Sequence, residues 1–261
     1  MYETADTRGA GKVTAIAVGP VLAAVLGGLA LFAAAVVRVG GLGAGRGVAT
    51  AAARAAVQLA AVSLLIAAVL RSWWWTALFV AVMATVAAAT SAGRIARLRL
   101  APWTAVPITA GAGPVVALLL VTGLVPTVPV AVVPIAGILI GGAMTATSLA
   151  GRRALDELRG RRGEYEAALA LGLLPRDAAL EVCRPSAGQA LVPAMDQTRT
   201  VGLVTLPGAF VGMLLGGATP VQAGVTQLVV LIGLLAVQAV AVLVTVELVA
   251  AGVLAARVVR S

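Results

Sequence analysis

Seven times along the chain, a run of about twenty to thirty residues passes with almost no charge, and nothing constrains the fold more than these runs. They lie at about 13–37, 48–70, 73–93, 103–125, 129–149, 194–218 and 222–252. A helix needs about 20 apolar residues to cross the ~30 Å hydrocarbon layer, and each run supplies them. Lipid leaves no solvent for unpaired backbone groups, so runs of this length become helices. A soluble core is excluded by composition, since 61% of the residues are hydrophobic and 11% charged, against about 45–50% and 25% in ordinary soluble domains. The expected fold class is all-α: a polytopic membrane helix bundle of about seven transmembrane helices forming one domain over 1–261.

The charge then orients the bundle. Nineteen basic residues stand against ten acidic ones, giving +9, and all but Lys12 are arginine. In a soluble domain that excess would point to nucleic acid; here it sorts by side. Arg38, Arg46, Arg94, Arg97, Arg99, the segment from Arg152 to Arg184, Arg257 and Arg260 fall on one side, fourteen in all, against Arg8, Lys12 and Arg71 on the other. By the positive-inside rule the N-terminus lies outside and the C-terminus in the cytoplasm, as an odd number of spans requires. The expected location is the cell inner membrane, multi-pass. The first run is read as a retained helix, because it is longer than a signal-peptide core of ~7 to 15 residues and Glu3 and Asp6 precede it. Trp73, Trp74 and Trp75 open the third run beside Arg71, as an interfacial anchor.

Several chemistries are absent. With no histidine, Ser-His and Cys-His catalysis and histidine-held metals are excluded. Cys183 is the one cysteine, so no intrachain disulfide or thiolate cluster exists.

Most of the charge falls in one connection, 150–193, after the fifth run. Leu155, Leu158 and Leu169 recur at helical spacing while arginines and acids take the other face. Gly172 suits a helix C′ position, and Pro175 with Asp177 suits the first turn of the next helix. The segment reads as a charged cytoplasmic helix, a turn and a second helix.

Within it, Glu166-Ala167-Ala168, three residues, Gly172, nine residues, Val182 and Pro185 are similar to the EAA-x3-G-x9-I-x-L-P loop by which permeases of ATP-binding-cassette importers dock on their ATPase. Val182 replaces isoleucine and Arg184 stands where leucine would be. A solvated loop in an alanine-rich chain has similar composition; what favours docking is that the charge count had already put the segment in the cytoplasm. The resemblance implies a coupling role for Glu164, Glu166, Ala167, Ala168, Gly172, Pro175 and Pro185. No P-loop accompanies it, because the only lysine, Lys12, is followed by valine. The glycine-rich 41–47 segment has no preceding strand and reads as a turn. ATP and Mg²⁺ would thus sit on a separate ATPase subunit, and this chain would be a transport subunit with no enzymatic site and no bound cofactor.

Polar residues in apolar runs are the default markers of a transport path. Arg54 and Gln58, four apart, share a helix face. Asp196, Gln197 and Arg199 open the sixth run, Pro207-Gly208 interrupts it, and Gln227, Gln238 and the lone acid Glu247, read as functional or paired, lie in the seventh. The alternative is that the arginines snorkel, the glutamines join helices and the Pro-Gly is a kink. A Pro-Gly break frees carbonyls that must face protein or water, as in transporter binding sites.

Taken together, Arg54-Ala55-Ala56-Val57-Gln58-Leu59, Pro134 to Gly137 and on to Gly141, Glu166 to Gly172, Val201 to Gly208, and Gln227 after Pro220 resemble the FetB-type permeases, which pair with an ATPase, are associated with iron export and have plant relatives linked to aluminium tolerance. The resemblance implies a homodimeric exporter permease bound to two ATPase subunits. The candidate transport path, read from the polar residues and the Pro-Gly break together with the resemblance, runs through Arg54, Gln58, Gln197, Pro207, Gly208, Met213, Gln227 and Glu247. Two departures touch the substrate. Where that family continues Met-Met-Thr-Gly-Gln after Pro-Gly, this chain has Ala209 to Met213; where it has Gly-Asn, this chain has Gly141-Gly142. Met144 and Met213 are the nearby sulfurs, and the residues leave any metal site unassigned. The competing readings are an ion-coupled secondary carrier with Glu247, Asp196 and Arg54 as a charge relay, and a non-transporting membrane component that relays ATPase motion.

Overall fold

The computed structural model describes residues 19–41, 43, 45–95 and 98–254. These residues form α1 (Pro20–Val39), α2 (Gly45–Val69), α3 (Trp73–Ile95), α4 (Ala101–Val121), α5 (Pro129–Gly160), α6 (Arg162–Ala170), α7 (Pro175–Gly188), α8 (Val192–Thr200), α9 (Gly208–Leu215) and α10 (Pro220–Ala250). Proline stands in the first turn of α1, α4, α5, α7, α8 and α10. Its fixed φ suits a helix start, and its missing N–H would have no intrahelical partner there anyway.

Among the described residues, six helices are long and apolar enough to cross a membrane: α1, α2, α3, α4 extended back to Leu98, α5 and α10. Of the seven spans read from the sequence, six are continuous helices, and the sixth run, expected to be interrupted at Pro207-Gly208, is not one. The run at 194–218 is α8, a non-helical connection 201–207 and α9. Gly202 turns the chain at φ +82° and Pro207 stands just before α9, while the eight residues of α9 cover only about 12 Å. The charged helix at the start of the 150–193 segment is also redrawn. It is the end of α5, which runs unbroken for 32 residues, about 48 Å and well beyond the hydrocarbon layer.

The chain divides into two compact units, one through Ala68 and one from Val69 onward. The first comprises α1 and most of α2, with Leu29, Phe32 and Leu64 among its exposed large side chains.

In the second unit α3, α4, α5 and α10 pack around a core that includes Ile108, Leu139, Ala143, Ala146, Val237 and Ala241. Small residues let the backbones meet. A Cβ on Gly111 would lie 2.6 Å from the Val237 carbonyl oxygen, and one on Gly142 would lie 2.2 Å from Leu234 Cδ1. Such close contact is how helices associate where lipid is as apolar as the side chains. Two hydroxyls tie neighbouring helices: Ser148 donates to Ser91 at 3.1 Å, and Thr104 donates to the Ala88 carbonyl at 2.7 Å.

These contacts fix helix direction. Gly137 meets Met83 and Gly151 meets Ile95, so α3 and α5 run the same way. Gly111 meets Val237 and Gly233 meets Val115, so α4 runs opposite to α10. Gly233 also touches Leu139 while Gly142 faces Leu234 and Gln238, which places α10 alongside α5 in the same direction. The C-terminal end of α10 meets α7 through Glu247 and Arg176, so Pro220 begins α10 about 40 Å away at the other end of the unit. The α8–α9 segment must carry the chain over that distance. The sixth run does cross the unit, but as a broken path.

Candidate functional site

The end of α5, α6, α7 and the last turn of α10 form one charged assembly. Only α7 is bedded into it: Ala178, Ala179, Val182, Cys183 and Ala187 lie on one buried stripe, beside a core that includes Leu155 and Leu158 of α5 and Val249 of α10. No residue of α6 is buried.

The turn between α6 and α7 follows from two residues. Gly172, at φ +93°, donates its N–H to the Leu169 carbonyl at 2.9 Å, and Leu173 donates to Ala168 at 3.1 Å. This pair of bonds closes a helix with glycine in the left-handed region, where a side chain is strained. Pro175 then starts α7 with Asp177 in its first turn, favourable at the positive end of a helix. The turn projects Leu171, 83% exposed, and Leu174, 68% exposed. Behind it lies a groove of about 320 Å³ lined by Leu173, Arg176, Asp177, Leu180, Glu181, Arg184 and Pro185.

Glu166, read as a group offered to a partner, is exposed and pairs with Arg162 of its own helix at 2.8 Å. Glu164 takes a two-pronged contact from Arg161, whose guanidinium holds the carboxyl below its usual range and is itself raised by that bond. Ala167 is exposed and Ala168 half-buried. Glu181 is a groove acid with no ion pair among the described residues.

Glu247, read as functional or paired because it is the lone acid of the last run, is paired. Arg176 Nη2 and Nε lie 2.5 and 3.1 Å from Oε2, and Arg184 Nη2 lies 3.5 Å from Oε1. The bond to Glu247 is the main cause of the raised pKa of Arg176. Sequence reasoning missed both arginines as partners. The only signal was an acid in the last turn of a helix, where the macrodipole disfavours it.

The remaining pathway residues belong to several elements. Arg54 and Gln58 are exposed on α2, in the first unit. Gln197 is exposed on α8, where Asp196 pairs with Arg199 at 3.6 Å. Pro207 and Gly208 sit at the break in the α8–α9 path, and Met213 is half-buried on α9. Gln227 is buried on α10, and its Oε1 has no hydrogen-bond partner. Among the described residues no three His, Cys, Asp or Glu come together as a metal site.

Known proteins are similar to this chain in sequence. A family described as an uncharacterised protein family, UPF0014, matches residues 21–254. The chain is 35% identical over 182 residues to the UPF0014 membrane protein STAR2 of Oryza sativa subsp. japonica, covering 69% of this chain and 64% of that one. It is 36% identical to the protein ALUMINUM SENSITIVE 3 of Arabidopsis thaliana, over 48% of this chain and 45% of that protein. Identity is 33% to the probable iron export permease protein FetB of Escherichia coli (strain K12), over 48% of each chain. The matches thus span from about half to just under two thirds of these relatives. No solved structure matches the chain.

Proposed function

The chain belongs to the uncharacterised protein family UPF0014, and from that membership and the geometry of α6 and α7 we propose that it is the membrane permease subunit of an ATP-binding-cassette exporter. Two copies pair, and two separate ATPase subunits, which carry ATP and Mg²⁺, dock on the α6–α7 face in the cytoplasm. The observation that carries this reading is the unequal burial of the two helices. α7 is bedded against α5 and α10, whereas α6 and its turn stay exposed with Leu171 and Leu174 uncovered. An element held by two long helices yet presenting apolar side chains fits a surface that another protein covers. Export is the direction named for the FetB relative.

Coupling follows from rigidity. An ATPase closing on ATP pushes the α6–α7 tip; α7 cannot slide freely, because its stripe of small residues is locked into α5 and α10, so the push reaches helices that cross the membrane. The broken α8–α9 path, which ends on α10, is then the segment whose exposed backbone can open to substrate.

The test is to co-express the full chain with candidate ABC-type ATPases and compare Gly172→Leu and Glu166→Lys with the wild type. Gly172→Leu forces a branched side chain into the left-handed region, so it is expected to weaken complex formation and permease-dependent ATP hydrolysis at least about tenfold. Glu166→Lys loses the Arg162 pair and reverses the charge of α6. Unchanged complexes and unchanged hydrolysis in both variants would overturn the docking reading. Substrate is read by vesicle transport of iron, other metals and small organic molecules.

A further inference from the structure

One acid at the end of α10 is held by two arginines of α7. The carboxylate of Glu247 gives Oε2 to Arg176, at 2.5 and 3.1 Å, and Oε1 to Arg184, at 3.5 Å. The arginines lie eight residues apart on α7, about 12 Å along its axis. A single pair between helices leaves rotation about the contact free. Two pairs from separated points of one helix to a single carboxylate set both the rotation and the axial position of α7 relative to α10.

Nothing in α10 itself asks for an acid there. Glu247 lies three residues before the helix ends at Ala250, where the macrodipole opposes negative charge. Its neighbours on α10, Val246, Val249 and Ala250, are buried, and Arg176 also gives Nη1 to Asp177 of its own helix at 3.0 Å. The carboxylate is two-thirds covered but retains access to water.

We propose that Arg176, Arg184 and Glu247 form a transmission clamp, the contact through which displacement of the α6–α7 segment is passed to α10 and, through Pro220, to the broken α8–α9 path. The clamp deepens the docking reading above and rests on it for the source of the displacement; the mechanical link between α7 and α10 is a property of this chain alone. Arg176 and Arg184 line the outer groove as well as holding Glu247. The same two side chains therefore face a partner on one side and the last membrane helix on the other. Glu247 does not line the groove, so its replacement separates transmission from docking.

Two measurements test this. In the first, the full chain alone in lipid nanodiscs is followed by hydrogen–deuterium exchange. Glu247→Gln is expected to raise exchange of the α7 amides about tenfold while the membrane-embedded part of α5 is unchanged. Reversing the charges, with Glu247→Arg, Arg176→Glu and Arg184→Gln together, restores protection, which a loss of packing would not do. In the second, Glu247→Gln and Glu247→Asp are combined with the co-purified ATPase. Glu247→Gln is expected to keep ATPase affinity within about twofold but to lose at least about fivefold of permease-dependent ATP turnover, and Glu247→Asp retains most of it. Unchanged α7 exchange in Glu247→Gln, or a charge-reversed variant that stays monodisperse without regaining protection, overturns the clamp. Unchanged turnover in a complex that does assemble overturns its role in transmission. A wild-type chain that binds no ATPase defeats the docking reading instead, and the exchange measurement still decides the clamp.

Discussion

Cys183 shows how far position governs a side chain. It is the only cysteine of the chain and lies on the buried face of α7 with no measurable exposure. Burial disfavours the thiolate, and the thiol is pushed up to about 11. Only the thiolate attacks a maleimide, so at pH 7.5 labelling of the folded chain is expected to be slower than that of a free cysteine by about two orders of magnitude or more. Rapid labelling should appear on unfolding in detergent. The sign follows from the direction of the shift: raising the pH toward 11 speeds labelling of the native protein, and lowering it slows labelling further. A native rate equal to the denatured rate at pH 7.5 would mean that α7 is not bedded against α5 and α10. The same substitution-free assay reports on any variant that loosens α7, including those at Glu247.

Between helices, glycines decide which pairs meet. Gly111 of α4 faces the backbone of α10: a Cβ there would lie 2.6 Å from the Val237 carbonyl oxygen, an atom that cannot rotate away. Gly111→Ala is expected to cost about 1–3 kcal/mol by overpacking and to lower the melting temperature of the purified protein by several degrees. Gly113, two residues on, has open space around it, and Gly113→Ala should be neutral or stabilising by up to about 1 kcal/mol, because alanine is the better helix former. Equal effects at the two positions would refute the close approach of α4 and α10. The elements themselves were legible to different degrees, for physical reasons. Length and apolarity identify α1 to α5 and α10 because lipid demands both. Local punctuation marks the α6–α7 turn, since Gly172 and Pro175 act through their own backbone. In the run at 194–218 the break at Pro207-Gly208 was legible from those residues, but the turn at Gly202 and the shortness of the helical pieces on either side were not, so the run still reads as a span. The change to charged residues at Arg152 looked like a helix boundary, yet no glycine–proline break occurs there and α5 continues to Gly160. The partners of Glu247 were out of reach, because Arg176 lies 71 residues away in sequence and only packing brings them together.

At the scale of the whole second unit, the direction of α10 has a consequence for sidedness. Its C-terminal end meets α7 and its N-terminal end, capped by Thr219 and Gln222 in a reciprocal pair of hydrogen bonds, lies at the opposite end. The α6–α7 turn and the α9–α10 turn should therefore open on opposite faces of the membrane, although no continuous helix joins them through 189–219. The arginine excess around 150–193 predicts that the α6–α7 turn lies in the cytoplasm. Leu171→Cys and Ala218→Cys test this without a cysteine-free background, because Cys183 is buried and slow to react. A membrane-impermeant maleimide is expected to label Ala218→Cys in intact cells and Leu171→Cys only in inverted vesicles. The reverse pattern would keep the fold and invert the orientation, moving the proposed docking face out of reach of any ATP. Labelling of both positions from one side would be the more damaging result, since the broken α8–α9 segment would then not cross at all and α10 would have to enter the membrane from the same face on which α7 lies.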